Sequence, residues 1–145
     1  MKYNKKQLGF TILEIMVVLV IIGILAGMIA PQLIGQSDEA KIKKAAVDIT
    51  TLENALDMYK LKNHKYPSTE QGLDALVAIP DIEPIPKNYP EGGFIKRLPQ
   101  DPWDNEYQLV SPGEQGKVDI FSMGPDGEAD TEDDIGNWNI DEYLQ

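Results

Sequence analysis

The pattern of hydrophobic and polar positions changes twice along the chain. Positions 15–37 form a run of 23 residues without a charge, and 15–30 are apolar apart from glycine. At about 1.5 Å per residue such a helix reaches roughly 35 Å, enough to cross a hydrocarbon core of about 30 Å. A helix that is apolar all round must be surrounded on every side, and a 145-residue chain has little interior to do so. The pattern therefore predicts a membrane-spanning segment within 15–37. After Ser37 it becomes amphipathic: Ile42, Ala45, Ile49, Leu52, Leu56 and Tyr59 recur at steps of three and four, with Lys43, Lys44, Asp48, Glu53, Asp57 and Lys60 between them. That is one helix with a single apolar stripe, continuous with the first segment and ending near Asn63.

The stripe needs a cover, and only the remaining residues can supply it. Ser68 and Gln71 stand at capping-box spacing and predict a short helix through Leu73, Leu76 and Val77. Pro80, Pro84, Pro86 and Pro90 mark a connector. Strands are predicted around 94–97, 106–110 and 118–122, separated by Asp101-Pro102 and Pro112-Gly113. The expected fold class is α+β, a small antiparallel sheet lying on the C-terminal half of the long helix.

Charge narrows the partners. The chain has 13 basic and 24 acidic residues, a net charge of -11 and no cysteine. A phosphate-binding surface needs clustered Lys and Arg, so nucleic acid is an unsuitable partner. Without cysteine there are no disulfides, thiolate zinc sites or cysteine nucleophiles. Ser, His and acidic residues form no catalytic constellation, so an enzyme is not expected. The charges are also unevenly placed. Lys2, Lys5 and Lys6 precede the first acid, Glu14, whereas positions 98–145 hold 13 acids and one base, Lys117. Lys41, Lys43 and Lys44 on the far side of the apolar run balance the first three, so the positive-inside count does not choose an orientation. A cleavable secretory signal fits poorly, because Met28 and Pro31 spoil the small-residue cleavage site that would end at Ala30.

Two residues in this region stand out. A carboxylate at the edge of a spanning segment is unfavourable by up to about 2.5–3.5 kcal/mol, and Glu14 lies there. It either faces headgroups or has a cationic partner, and a cut between Gly9 and Phe10 would place a new α-amine one helical turn away. Pro31 removes a helical hydrogen bond near Gly27 and Gly23. It marks either a soft point in the helix or the ordinary proline content of membrane helices.

Lys5-Lys6-Gln7-Leu8-Gly9-Phe10-Thr11-Ile12-Leu13-Glu14, followed by the apolar run, resembles the type IV prepilin leader and cleavage motif. Tyr66-Pro67-Ser68-Thr69-Glu70-Gln71-Gly72-Leu73, Asp101-Pro102-Trp103, Ser111-Pro112-Gly113, Asp119-Ile120-Phe121-Ser122 and Asp134-Ile135-Gly136-Asn137-Trp138 are similar to segments of the major pseudopilins of type II secretion. The resemblance runs from the leader to Trp138. It implies a type IV pilin-like fold, cleavage after Gly9 by the prepilin peptidase, N-methylation of Phe10, and division into a leader at 1–9, an assembly helix at 10–34 and a periplasmic domain at 35–145. It further implies a single-pass inner-membrane anchor with the C-terminal domain in the periplasm. The subunit would self-polymerise into a helical filament, the pseudopilus, that helps drive folded exoproteins across the outer membrane. Expected partners are minor pseudopilins, the inner-membrane assembly platform and membrane lipid. Phe10, Glu14 and Pro31 would serve assembly, Glu14 by pairing with the Phe10 amine of a neighbour. The alternative is a type IV pilin or minor pseudopilin.

One acidic segment remains. Asp126, Glu128, Asp130, Glu132, Asp133 and Asp134 crowd a turn-rich loop, and Ca2+ favours six to eight oxygen ligands in irregular geometry. His64, the only histidine, is distant in sequence, so zinc is unsuitable. The spacing is not that of an EF-hand, since Thr131 and Asn137 stand where Gly and Glu belong. Spacing alone leaves a solvated loop and a metal site open. The pseudopilin resemblance implies one structural Ca2+, held by the side chains of Asp126, Asp133 and Asp134 and the carbonyls of Met123 and Glu128. Such an ion would do the work of a disulfide this chain cannot form.

Overall fold

The structure is a computed structural model that describes residues 10–144, the side chains of 26–36 excepted. Gly9 and the rest of the leader lie outside the described residues, as does the side chain of Pro31. The chain divides into two units, Met1–Glu39 and Ala40–Gln145.

One helix, α1 (Ile12–Asn63), crosses that division. Thr11 starts it, its hydroxyl accepting the Glu14 N–H at 3.2 Å, and the negative Glu14 in the first turn suits the positive end of the helix dipole. From Phe10 to Leu25 every residue is exposed, Ile12 by 83% and Leu19 by 62%. An apolar helix uncovered on all faces must be surrounded by lipid or by other protein. Among the described residues no helix is long and apolar enough to cross a membrane; the predicted span of 10–34 runs into positions 26–36, whose side chains lie outside them.

The second unit is built on the stripe. Ala45, Ala46, Ile49, Leu52, Leu56 and Tyr59 are all buried, in one cluster with Leu73, Leu76, Tyr107, Leu109, Val118, Ile120, Ile135 and Ile140. The helix ends as His64 turns to φ 64, with its N–H on the Lys60 carbonyl at 2.6 Å. Asn88 fastens that end: its N–H donates to Asn63 Oδ1 at 3.1 Å and its amide to the Lys62 carbonyl at 3.1 Å. His64 is exposed at this helix exit.

The expected capping box forms, since Ser68 N–H donates to Gln71 Oε1 at 3.0 Å and Gln71 N–H to Ser68 Oγ at 3.2 Å. It closes a turn rather than opening an α-helix. Gly72 at φ 60 interrupts the chain, and only a 3₁₀ turn, Leu73–Leu76, follows. Three short strands make the sheet: β1 (Gln108–Val110), β2 (Asp119–Ser122) and β3 (Ile135–Gly136), antiparallel in the order β1-β2-β3. Two of the predicted strands are thus present, trimmed at their ends. The strand expected at 94–97 is not. Gly92 and Gly93 adopt φ 87 and 78, and the Phe94 and Ile95 N–H groups both donate to the Leu76 carbonyl, which leaves no ladder to extend. Its place is taken by β3, two residues long and too short to announce itself by alternation.

Polar contacts tie α1 to the sheet side. Asp48 accepts Lys44 Nζ at 2.6 Å and the Tyr107 hydroxyl at 2.9 Å, and Lys44 also reaches the Gln100 carbonyl at 3.3 Å. Burial, and then the hydrogen bond to Asp48, raises the Tyr107 phenol well above the usual tyrosine range, so it stays protonated as a donor.

Leu52 is fully buried at the middle of the stripe. Its replacement by alanine is expected to lower the unfolding free energy by about 2–5 kcal/mol in denaturant titrations. A loss below about 1 kcal/mol would show that the stripe does not carry the domain.

Candidate functional site: the acidic loop and the helix start

The loop between β2 and β3 opens with a sharp turn. Gly124 sits at φ +63, and a Cβ there would strike the Asp133 carbonyl oxygen and lie 2.7 Å from Asp133 Oδ2. Only glycine lets the two ends of the loop approach so closely. Asp133 is the centre of the hydrogen bonding. Its Oδ2 accepts the Asp126 N–H at 3.2 Å, and its Oδ1 lies 2.7 Å from the Thr131 hydroxyl. That hydroxyl is also 3.1 Å from the Glu128 carbonyl, and its one proton serves one acceptor at a time. Glu128 N–H in turn donates to Asp126 Oδ1 at 2.9 Å. The Thr131 hydroxyl and the Asp126 N–H hold the Asp133 carboxyl below its ordinary range.

Asp134 is buried, 7% exposed. Its Oδ2 accepts the N–H groups of Asp130 at 2.8 Å and Thr131 at 3.3 Å, while Oδ1 is buried without a hydrogen-bond partner. Burial pushes this carboxyl upward, opposed by the two N–H groups and reinforced by the charges of Asp133 and Asp130. A buried carboxylate oxygen with no donor is costly unless a cation or proton meets it.

Of the five residues expected to hold calcium, the fold links Asp126, Glu128 and Asp133 by hydrogen bonds, with Asp134 taking the neighbouring Asp130 and Thr131 N–H groups. Met123 is half-buried at the start of the same turn. Among the described residues no three His, Cys, Asp or Glu side chains converge as a metal cluster, because the carboxylates are turned to backbone N–H groups. The donor set is nevertheless all oxygen, and the unpaired Asp134 Oδ1 is the kind of atom a hard cation would satisfy. Asp130 and Glu132 are exposed, as are Asp126 and Glu128.

Sequence reasoning passed over the residues that hold the loop from outside. Asn139 Nδ2 donates to the Asp134 carbonyl at 3.1 Å, and Asn137 bonds across to β2 through the Ile120 N–H and the Val118 carbonyl. Ser122 and Asp101 do the same at the loop's start. The available signal was Ser122 itself, a polar residue ending the otherwise apolar Ile120-Phe121. In the first unit, Phe10 is 79% exposed and Glu14 is exposed as well.

An exposed apolar helix with a carboxylate in its first turn, running on into a domain that closes around its second half, defines a subunit of the type IV pilin-like class. A solved structure described as the major pseudopilin from the type 2 secretion system of enterohaemorrhagic Escherichia coli is 56% identical, with a TM-score of 0.71 over 73% of this chain and 89% of that one. The family described as type II secretion system protein G matches residues 32–138, and a prokaryotic N-terminal methylation motif matches residues 4–30. Proteins named type II secretion system core protein G from Aeromonas hydrophila and Escherichia coli K12 are 62% and 58% identical, covering 97% of this chain in both cases and 98% and 97% of theirs. The chain belongs to the type II secretion system protein G family, the major pseudopilins. The alternative of a type IV pilin or minor pseudopilin gives way to these relatives.

Gly124→Ala is expected to destabilise the domain by clearly more than Gly127→Ala. Both glycines have positive φ, but the space at Gly127 is open, with only Asn105 Nδ2 at 3.7 Å. The latter substitution should cost about 1 kcal/mol and the former at least twice that in denaturant titrations. Equal losses would remove the close approach to Asp133 as the reason for glycine at 124.

Proposed function

We propose that this chain is the main structural subunit of a periplasmic filament, anchored in the inner membrane by 10–34, cut after Gly9 by a prepilin peptidase and N-methylated at Phe10. The observation that carries this reading is the all-round exposure of an apolar α1 start fused to a closed domain, an arrangement that only lipid or other subunits can complete. Copies packing their helices head to tail give an open helical assembly. Growth of that filament, on an inner-membrane platform and with minor pseudopilins, would move folded exoproteins through the outer membrane. The role is mechanical, and no catalysis is assigned to the subunit.

Glu14 in the first turn is placed to attract the methylated Phe10 amine of a neighbour, an attraction that strengthens as water is excluded. Glu14→Ala is expected to abolish filament assembly and exoprotein secretion while leaving cleavage intact, as judged by electron microscopy, secretion assays and N-terminal mass. Filaments equal to wild type would sink that role. Pro31 would soften the helix during assembly.

The acidic loop is proposed to bind one Ca2+ through the Asp126, Asp133 and Asp134 carboxylates and the Met123 and Glu128 carbonyls. The partnerless Asp134 Oδ1 supports this, as does the all-oxygen donor set. Bound calcium would cross-link the two ends of the loop. At free calcium one hundred times Kd the gain would be about 2.7 kcal/mol, several degrees in Tm for a domain of this size. Chelation should remove it, and Asp133→Ala should lose both the calcium-dependent rise in Tm and secretion. An unchanged Tm on chelation of the wild type would leave the loop without its ion.

A further inference from the structure

The calcium reading names the Met123 carbonyl as a ligand but leaves open what aims it. Three groups outside the acidic cluster form a chain that ends on the same peptide unit. Asp101 is 3% exposed, and its Oδ1 accepts the Trp103 and Asn105 N–H groups at 2.9 and 2.7 Å. Its Oδ2 accepts the Ser122 hydroxyl at 2.6 Å. Ser122, wholly buried at the end of β2, accepts the Gly124 N–H on its Oγ at 3.2 Å. The order of donation is fixed: with the hydroxyl proton committed to a carboxylate, the Ser122 oxygen can only accept from Gly124. A charged acceptor also polarises the hydroxyl and strengthens the next bond in the chain.

Gly124 N–H and Met123 C=O belong to one planar trans peptide, so they point in opposite directions. Holding the N–H toward Ser122 therefore turns the Met123 carbonyl away from β2. A free peptide at this place would be able to rotate, because Gly124 at φ +63 has no side chain to restrain it. We propose that Asp101 and Ser122 are positioning residues for the loop's cation, acting through the Met123–Gly124 peptide. The inference rests on the calcium reading and adds to it a buried determinant of affinity contributed by the turn before β1.

The test is calcium titration by calorimetry of the full-length chain in detergent, comparing wild type, Ser122→Ala, Asp101→Asn and the double variant. Thermal unfolding in chelator and in excess calcium accompanies it. Asp101→Asn keeps an oxygen for the two turn N–H groups but puts an amide donor where the Ser122 hydroxyl needs an acceptor. Each single variant is expected to weaken calcium binding tenfold or more, the range found for residues that orient metal ligands. The double variant is expected to be no worse than the weaker single within about twofold, because both act through one chain of bonds. Hydrogen exchange at Gly124 in chelator should be faster in Ser122→Ala than in wild type. If both singles bind calcium within twofold of wild type, and lose the same Tm with and without calcium, the pair only stabilises the fold and the proposal falls. If Ser122→Ala does not fold, Asp101→Asn decides by the same criterion. A wild type that binds no calcium overturns the calcium reading and this inference together, an outcome distinct from variants that bind as well as wild type.

Discussion

The fold depends on one burial: Ile49, Leu52 and Leu56 on α1 have no exposed surface, yet the elements that cover them are mostly not regular structure. The three strands are three, four and two residues long, so most of the cover is turns and connectors. A loop cover carries backbone N–H and C=O groups that must each find a partner once buried. Side chains supply them here. Gln71 donates to the Ile82 and Pro84 carbonyls at 2.7 and 3.1 Å, Tyr89 to the Ala75 carbonyl at 3.0 Å, and Thr69 and Ser111 bond to each other across 42 positions. The apolar stripe sets the demand, and these polar ties are what allow irregular chain to meet it.

Burial of the second half of α1 explains by contrast the exposure of the first. The same helix is apolar on one face after Ala40 and on every face from Ile15 to Leu25, and no single globular domain can satisfy both. On the proposed function, lipid or neighbouring subunits would supply the missing surroundings. In a pseudopilin the cover of the first half must come from elsewhere, which makes the exposed helix a functional surface and not a defect of folding.

Strong periodicity was legible, and short-range chain geometry was not. Six stripe residues at steps of three and four marked α1 to within a turn of its end at Asn63, and the capping box at Ser68 and Gln71 formed with both predicted bonds. The strand expected at 94–97 failed because Gly92 and Gly93 take left-handed conformations that a strand pattern does not reveal. The pair Ile135-Gly136 has no period to detect, and it is a strand only because β2 lies next to it. At the acidic loop the clustered carboxylates were visible from composition, but the groups that fasten the two ends of the loop were not. Asp101 and Asn139 act through space, from a turn before β1 and from beyond β3.

Three buried acids in the sheet half of the molecule show what distinguishes that loop. Asp119 accepts three N–H groups, from Glu114 and Gln115 on Oδ2 and from Gly116 on Oδ1, and so locks the turn before β2. Asp101 accepts two N–H groups on one oxygen and the Ser122 hydroxyl on the other. In both, each carboxylate oxygen has at least one donor, so the negative charge is met by dipoles of the protein itself. Asp134 accepts two N–H groups on Oδ2 and none on Oδ1. The shortfall falls on the one buried acid whose neighbours, Asp133 and Asp130, are also negative, so a fixed dipole is the wrong remedy there. Backbone donors suffice for an isolated carboxylate, but one crowded by others is relieved by a proton or a cation. The nearest basic residue in sequence, Lys117, lies before β2, and from 118 to the C-terminus the chain has no other. A cation that relieved this loop would therefore come from outside the segment that creates the need for it.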